Sequence, residues 1–167
     1  MNTLDTPSQP LPERPELEIA LPWAALGRPC DQSQALTSAE IRRLSPVALA
    51  YLGDAVYELF VRTRYLMPPR RIQTYHHEVV DQVRAERQAE YLQSLEPYFT
   101  PEELDILKRG RNAVPSGRTK RVSPEIYQQA SSLETLMGYL YLTDPARLFQ
   151  LLSYLPFEAK SSLTAHS

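Results

Sequence analysis

Several kinds of chemistry lack their raw materials in this chain. Its 167 residues contain a single cysteine, Cys30. That excludes an intrachain disulfide, and no Cys/His cluster has the spacing of a zinc site. Cys30 sits in an acidic stretch with no base beside it, the wrong setting for a nucleophile. No run of about 18 apolar residues occurs, so no membrane-spanning helix is expected. The start, Met1-Asn2-Thr3-Leu4-Asp5, has no basic region followed by an apolar stretch and is too acidic for a transit peptide. A cytoplasmic location is the expectation. Basic charge is not in excess either: 18 Lys and Arg stand against 20 Asp and Glu, a formal net charge of −2. Any polyanion must therefore be held by a local patch. Neither a P-loop nor a dinucleotide fingerprint is present, and no serine has Ser–His–Asp logic around it. What is left, at 43% apolar and 23% charged, is the composition of an ordinary globular domain, long enough to bury a core.

Proline divides the chain. Six of the 15 prolines fall at or before Pro29. Residues 1–36 carry five acids against two bases, and such a stretch holds no helix. It reads as an extended acidic arm, either a free tail or one docked through Ile19-Ala20-Leu21-Pro22-Trp23. From residue 37 the signals are helical. Thr37-Ser38-Ala39-Glu40 fits a capping box. Ser45-Pro46 is a helix start, with Leu49, Leu52, Val56, Leu59 and Phe60 as its inward face and Pro68-Pro69 beyond its end. Residues 71–95 hold one or two helices, with Ile72, Val79, Val80, Val83, Tyr91 and Leu92 turned inward. Thr100-Pro101 starts a helix through Leu104 and Leu107 to Gly110, and residues 111–122 read as a loop. Ser123-Pro124 and Asp144-Pro145 start the last two helices, ending near Pro156. No alternating run of branched residues suggests a strand. The expected fold is all-α: the arm over 1–36, a domain over 37–156 and a tail over 157–167.

Two acidic side chains sit in awkward places. Gly53, inside a good helix, costs up to about 1 kcal/mol relative to alanine, so close approach of a helix or ligand is implied. Asp54 follows it, one turn before Glu58. The alternative for this face is solvation, with Glu58 paired to Arg62 at helical spacing. The second segment, Leu133-Glu134-Thr135-Leu136-Met137-Gly138-Tyr139-Leu140-Tyr141-Leu142, is apolar nearly all round and reads as buried. Glu134 is its only charge. A buried carboxylate needs a cation or several donors, which leaves a metal ligand or a partner of a buried arginine or helix start. Two carboxylates from two helices suffice for magnesium, which takes oxygen ligands and keeps several waters. Such an ion serves phosphodiester cleavage by polarising the phosphate and activating water.

Basic charge is concentrated in residues 108–121, which hold six bases and no acid. On a net acidic chain this suggests a phosphate-backbone site with salt-dependent binding, although such runs also occur as plain solvated loops. Arg62, Arg64, Arg70 and Arg71 form a weaker cluster at a helix end, where cations also suit the dipole. No aromatic interleaving marks a single-strand platform, so a duplex read through its backbone is expected. His76 and His77 are adjacent and face different sides, as phosphate contacts or as ordinary surface or packing residues.

Four segments in order resemble a known family. Leu49-Ala50-Tyr51-Leu52-Gly53-Asp54-Ala55-Val56 resembles the signature helix of the ribonuclease III catalytic domain, and Ser131-Ser132-Leu133-Glu134-Thr135-Leu136-Met137-Gly138 its second acidic helix. Val83-Arg84-Ala85-Glu86-Arg87-Gln88-Ala89 and Leu107-Lys108-Arg109-Gly110-Arg111-Asn112-Ala113 look like the compact Mini-III ribonucleases. The resemblance covers about residues 40–156, and no double-stranded-RNA-binding domain is expected after it. It implies an all-helical homodimer that cuts double-stranded RNA with magnesium, for which manganese can substitute, leaving 5′-phosphate and 3′-hydroxyl ends. Trimming of the large-subunit (23S) ribosomal RNA precursor is the implied task. Asp54 and Glu134 take the catalytic and metal-binding positions, and Tyr51 the place of an aromatic at the dimer interface. Lys108, Arg109, Arg111, Asn112, Arg118, Lys120 and Arg121 correspond to a region used near the RNA grooves.

The chain departs from full-length ribonuclease III at two acidic positions. Ala50 stands in place of the signature glutamate and Ser131 in place of an aspartate. Mini-III members share this reduced set, which leaves less charge for a second ion, with Glu58 at most an outer ligand. A non-catalytic RNA-binding scaffold of the same fold in ribosome assembly is the alternative, and retention of both Asp54 and Glu134 argues against it.

Overall fold

A computed structural model describes residues 36–113 and 122–157. The described residues form seven α-helices: α1 (Ser38–Arg43), α2 (Pro46–Arg64), α3 (Ile72–Val83), α4 (Ala85–Leu95), α5 (Pro101–Ala113), α6 (Pro124–Thr143) and α7 (Pro145–Ser153). A 3-10 turn, Glu96–Tyr98, joins α4 to α5. No strand occurs among the described residues, and none of their helices is long and apolar enough to cross a membrane. The acidic arm, Cys30, residues 114–121 with Arg118, Lys120 and Arg121, and the tail after Phe157 lie outside the described residues.

The caps are those the sequence spells. Thr37 and Glu40 close a reciprocal box at α1. The Ala48 amide donates to Ser45 Oγ at 3.1 Å, the Ile126 amide to Ser123 Oγ at 3.3 Å and the Arg147 amide to Asp144 Oδ1 at 3.0 Å. Thr100 and Glu103 form a second box at α5. Each satisfies amides that a helix start leaves without partners, and proline follows where no amide is needed at Ser45, Thr100, Ser123 and Asp144.

Helix α6 is the axis of the domain. Helices α2, α5 and α4 pack along it. It is buried through Ala130–Leu133, Thr135–Gly138 and Leu140, which is why its sequence shows almost no polar face. Side chains pin the packing: Ser132 Oγ donates to the Leu107 carbonyl on α5 at 2.8 Å. Thr135 Oγ1 lies within 3.2 Å of the Pro46 carbonyl at the start of α2. On the far side Arg147 grips the buried Glu103 carboxylate through Nε at 2.7 Å and Nη2 at 3.0 Å, and also donates to the Tyr98 carbonyl. Phe60 and Tyr91 pack on Phe157, one residue beyond the domain limit suggested by sequence.

Of the one or two helices expected over residues 71–95, the structure has two, broken at Arg84, whose backbone is extended. Several other expectations need correction. Ile72 and Val80 face outward (78% and 47% exposed). The buried polar residue Gln82 takes an inward place instead, receiving the Tyr91 hydroxyl on Oε1 and the Tyr57 hydroxyl on its carbonyl. In α2 the core face runs through Leu49, Gly53, Val56, Tyr57 and Val61, so Leu59 falls outside it. That period brings in Tyr57, whose hydroxyl looked polar but finds a backbone acceptor. Leu104 is likewise half-exposed. Helix α5 continues past Gly110 to Ala113, so Arg111 and Asn112 are helical and not part of a loop. Gly110 serves packing: a Cβ there would lie 2.6 Å from Thr135 Oγ1 and 3.0 Å from Ser132 Cα.

Candidate active site

Two glycines bring the two acids together. A Cβ on Gly53 would lie 1.8 Å from the Glu134 carbonyl oxygen and 2.7 Å from the Gly138 nitrogen. A Cβ on Gly138 would lie 2.0 Å from the Leu49 carbonyl oxygen. Helices α2 and α6 therefore cross backbone against backbone, which only glycine permits at both places. The close approach that Gly53 and Gly138 imply is this crossing. It places Asp54, beside Gly53, and Glu134, one turn before Gly138, on the wall of one cavity.

That cavity has a volume of about 660 Å³. Helix α2 supplies Val47, Ala50, Tyr51 and Asp54, α5 supplies Gly110 and Ala113, and α6 supplies Tyr127, Ser131, Glu134 and Thr135. Ala50 and Ser131 thus stand on the same wall as the two carboxylates. In a chain bearing acids at those positions, four carboxylates would converge here; this chain has two.

The electrostatics are uncompensated. Burial pushes the Glu134 carboxyl group up to about 7, the neighbouring Asp54 adds to the rise, and a hydrogen bond from Gln88 opposes it. Asp54, at the exposed lip, is also raised, by burial first and then by Glu58. Among the described residues no basic side chain forms an ion pair with either acid. The buried-arginine alternative for Glu134 therefore has no support there, and Glu134 lies too far along α6 to cap its start. Glu58 does what the solvated alternative held: it accepts from Arg62 Nε at 3.0 Å. Two like charges on one wall, without a counter-charge, favour a cation. No three of His, Cys, Asp and Glu converge among the described residues. Two carboxylate groups and room for water fit the oxygen-rich, partly hydrated coordination of magnesium better than the three or four nitrogen and sulfur ligands of zinc.

The remaining sequence-predicted residues spread around this centre. Tyr51 is 85% exposed. With Val47, Ala55 and Leu59 it makes an exposed apolar stripe along α2, and Val47 and Tyr51 also border the cavity. Lys108, Arg109, Arg111 and Asn112 are all exposed on the last turns of α5, whose Gly110 and Ala113 reach the cavity. They do not share one face. Lys108 and Arg111 border a separate cavity of about 310 Å³ with Glu96 and Gln129, while Arg109 turns toward the Leu44 carbonyl. His76 and His77 are exposed on α3. Sequence reasoning missed Gln88 as a neighbour of Glu134, although a glutamine at an inward position of α4, in step with Tyr91, Leu92 and Leu95, is the signal that could have found it.

Comparison with known proteins agrees with the geometry. The family model for the ribonuclease III domain matches residues 47–145. The chain is 58% identical over 113 residues to a Mini-ribonuclease 3 of Synechocystis, covering 68% of this chain and 78% of that protein. It is 57% identical over 122 residues to a Mini-ribonuclease 3 of Synechococcus, covering 72% and 87%. A crystal structure of a Fusobacterium nucleatum protein, 28% identical, superposes with a TM-score of 0.63 over 68% of this chain and 93% of that one. With two acids converging at a glycine-mediated crossing of the two matching helices, the chain belongs to the ribonuclease III family and, within it, to the Mini-ribonuclease 3 group.

Proposed function

We propose that this endoribonuclease cleaves double-stranded RNA with magnesium, working as a cytoplasmic homodimer on the ends of the large-subunit (23S) ribosomal RNA precursor. The observation that carries the metal-dependent part is the pairing of Asp54 and Glu134 on one wall with no described base between them. A scaffold would gain nothing from retaining that repulsion. The relatives' name, Mini-ribonuclease 3, supports RNA as the substrate, and the sequence resemblance supports the ribosomal precursor.

Asp54 and Glu134 are the residues that would hold magnesium, with manganese able to replace it. When bound, the ion supplies a Lewis acid for the scissile phosphate and favours ionisation of the attacking water. The water oxygen forms the new bond to phosphorus as the bond to the 3′-oxygen breaks, leaving a 5′-phosphate and a 3′-hydroxyl. Lys108, Arg109, Arg111 and Asn112, exposed on the turns of α5 that also carry Gly110 and Ala113, are the phosphate contacts of this reading, and Arg118, Lys120 and Arg121 follow in sequence. A-form RNA presents a deep, narrow major groove, so shape and backbone dominate its recognition. The exposed stripe of Val47, Tyr51, Ala55 and Leu59 supports self-association through α2, since an apolar helix face of this kind is ordinarily covered.

An end-labelled RNA duplex incubated with the protein, with and without magnesium, tests the proposal. Cleavage is expected only with the ion, and Asp54→Asn should abolish it while leaving the circular dichroism unchanged. Equal cleavage in chelator, or undiminished cleavage by the variant, overturns the assignment.

A further inference from the structure

Helix α6 lines the active-site cavity with more than Glu134. Tyr127, Ser131 and Glu134 recur at helical spacing, so they share one face of α6, and all three border the cavity. Two helical turns separate Tyr127 from Glu134, about 10 Å along the axis. Tyr127 is 37% exposed. A phenolic hydroxyl both donates and accepts a hydrogen bond. The hydroxyls of Tyr57, Tyr75, Tyr91 and Tyr139 donate to the Gln82 carbonyl, the Leu66 carbonyl, Gln82 Oε1 and Glu102 Oε1. The Tyr127 hydroxyl bonds to none of the described residues, which leaves it for something that enters the cavity. The charge there narrows the choice. Among the described residues no Lys or Arg lines the cavity, and its charged side chains are Asp54 and Glu134. Away from a bound cation such a wall repels phosphate, whereas a neutral hydroxyl meets no repulsion.

We propose that Tyr127 is a specificity-determining residue: its hydroxyl hydrogen-bonds a ribose 2′-hydroxyl on a nucleotide neighbouring the scissile phosphate, and so favours RNA over DNA. This rests on the reading of Asp54 and Glu134 as the place where the strand is cut. The 2′-hydroxyl is the backbone group that DNA lacks, and the wide, shallow minor groove of A-form RNA displays it. It is donor and acceptor at once, so it pairs with a phenol in either sense. Two turns from Glu134, Tyr127 faces the strand beside the scissile phosphate and not that phosphate itself. Ala50 on α2, with Gly110 and Ala113 on α5, also lines the cavity, and side chains this small leave width for a sugar to pass.

The test uses the full chain with magnesium and an RNA duplex whose cleavage position has been mapped with wild type. Single 2′-deoxy substitutions are placed in turn at the nucleotides flanking the scissile bond, and kcat/KM is measured for wild type and Tyr127→Phe. The variant keeps the exposed ring and removes only the hydroxyl, so its Tm should match wild type. It should lose about 5-fold on the all-ribose duplex, the worth of one neutral hydrogen bond. At one position the deoxy substitution should slow wild type by a similar factor and leave Tyr127→Phe unaffected. A merely structural role for Tyr127 would not produce that dependence on a single ribose. Wild-type kcat/KM in Tyr127→Phe overturns the proposal. So do deoxy effects that are equal in the two enzymes at every position, which would leave a phosphate contact or a packing role in its place. Asp54→Asn separates the two ideas. If it cleaves as wild type does, the reading of the site itself fails; if it is inactive while the deoxy effects match in wild type and Tyr127→Phe, only the role of Tyr127 fails.

Discussion

Gly53→Ala adds a single methyl group to the helix crossing on which the site depends. The new Cβ would lie 1.8 Å from the Glu134 carbonyl oxygen and 2.7 Å from the Gly138 nitrogen, where ordinary contact begins at about 3.4 Å. Both obstacles are backbone, so no rotamer change relieves them and α2 must move away from α6 by more than about 1 Å. Overpacking of this kind costs about 3 kcal/mol. Alanine returns about 1 kcal/mol of helix propensity. The net loss of about 2 kcal/mol should lower Tm by about 8 °C for a domain of this size. Activity should fall further than stability does, because the same displacement moves Asp54 away from Glu134. A misplacement of about 1 Å at a reacting centre costs about 100-fold. Thermal unfolding at fixed protein concentration and initial cleavage rates at saturating magnesium, below the variant's Tm, measure both effects. Gly110→Ala provides the scale: its Cβ meets mainly the Thr135 side chain, so a smaller loss is expected. A Gly53→Ala protein as stable and as active as wild type would refute the claim that the crossing builds the site.

Three other outcomes follow from the same structure. Burial opposes the charge on Glu103, but the bonds from Arg147 and Thr100 outweigh it and hold its carboxyl group below the usual range. Glu103→Gln should therefore cost about 3 kcal/mol in urea unfolding at pH 7, a gap that closes as pH falls below the unfolded value of about 4.5; an unchanged midpoint at pH 7 would dismiss the clamp. Glu134 is raised from 4.5 to about 7, so its contribution to stability is present below 4.5 and lost as pH rises through 7. In metal-free buffer Glu134→Gln should gain Tm over wild type between pH 5 and pH 8, and an advantage equal at both pH values contradicts uncompensated burial. Replacing Arg109 and Arg111 by alanine should weaken duplex binding and flatten its dependence on salt, and an unchanged slope removes them as phosphate contacts.

The helix starts were the most legible feature, because a hydroxyl or carboxylate followed by proline solves a local problem that needs no distant residue. The axial place of α6 was legible too, from apolar residues on every side of Leu133–Leu142. The outward turn of Ile72 and Val80 was not, since a branched apolar residue carries no mark saying whether a neighbour will cover it. Gln82 and Gln88 were overlooked for the converse reason. A polar side chain is admitted to a core when a specific acceptor or donor awaits it, and those partners come from Tyr57, Tyr91 and Val83, which folding alone assembles. The helical state of Arg111 and Asn112 was obscured by Gly110. Its small size looked like a chain break, and in the folded protein it makes room for Thr135.

The asymmetry of the two acids adds a last step. Asp54 stands at the lip, and Glu134 stands deeper, where burial raises its carboxyl group to about 7. Near neutral pH a substantial share of Glu134 carries a proton in the protein alone. On the proposed reading, holding a cation requires that proton to leave, so uptake of the ion and release of the proton are linked. Gln88 eases that exchange by favouring the charged form, without supplying a positive charge that would compete with the ion. An arginine in its place would neutralise Glu134 permanently and leave less for magnesium to gain.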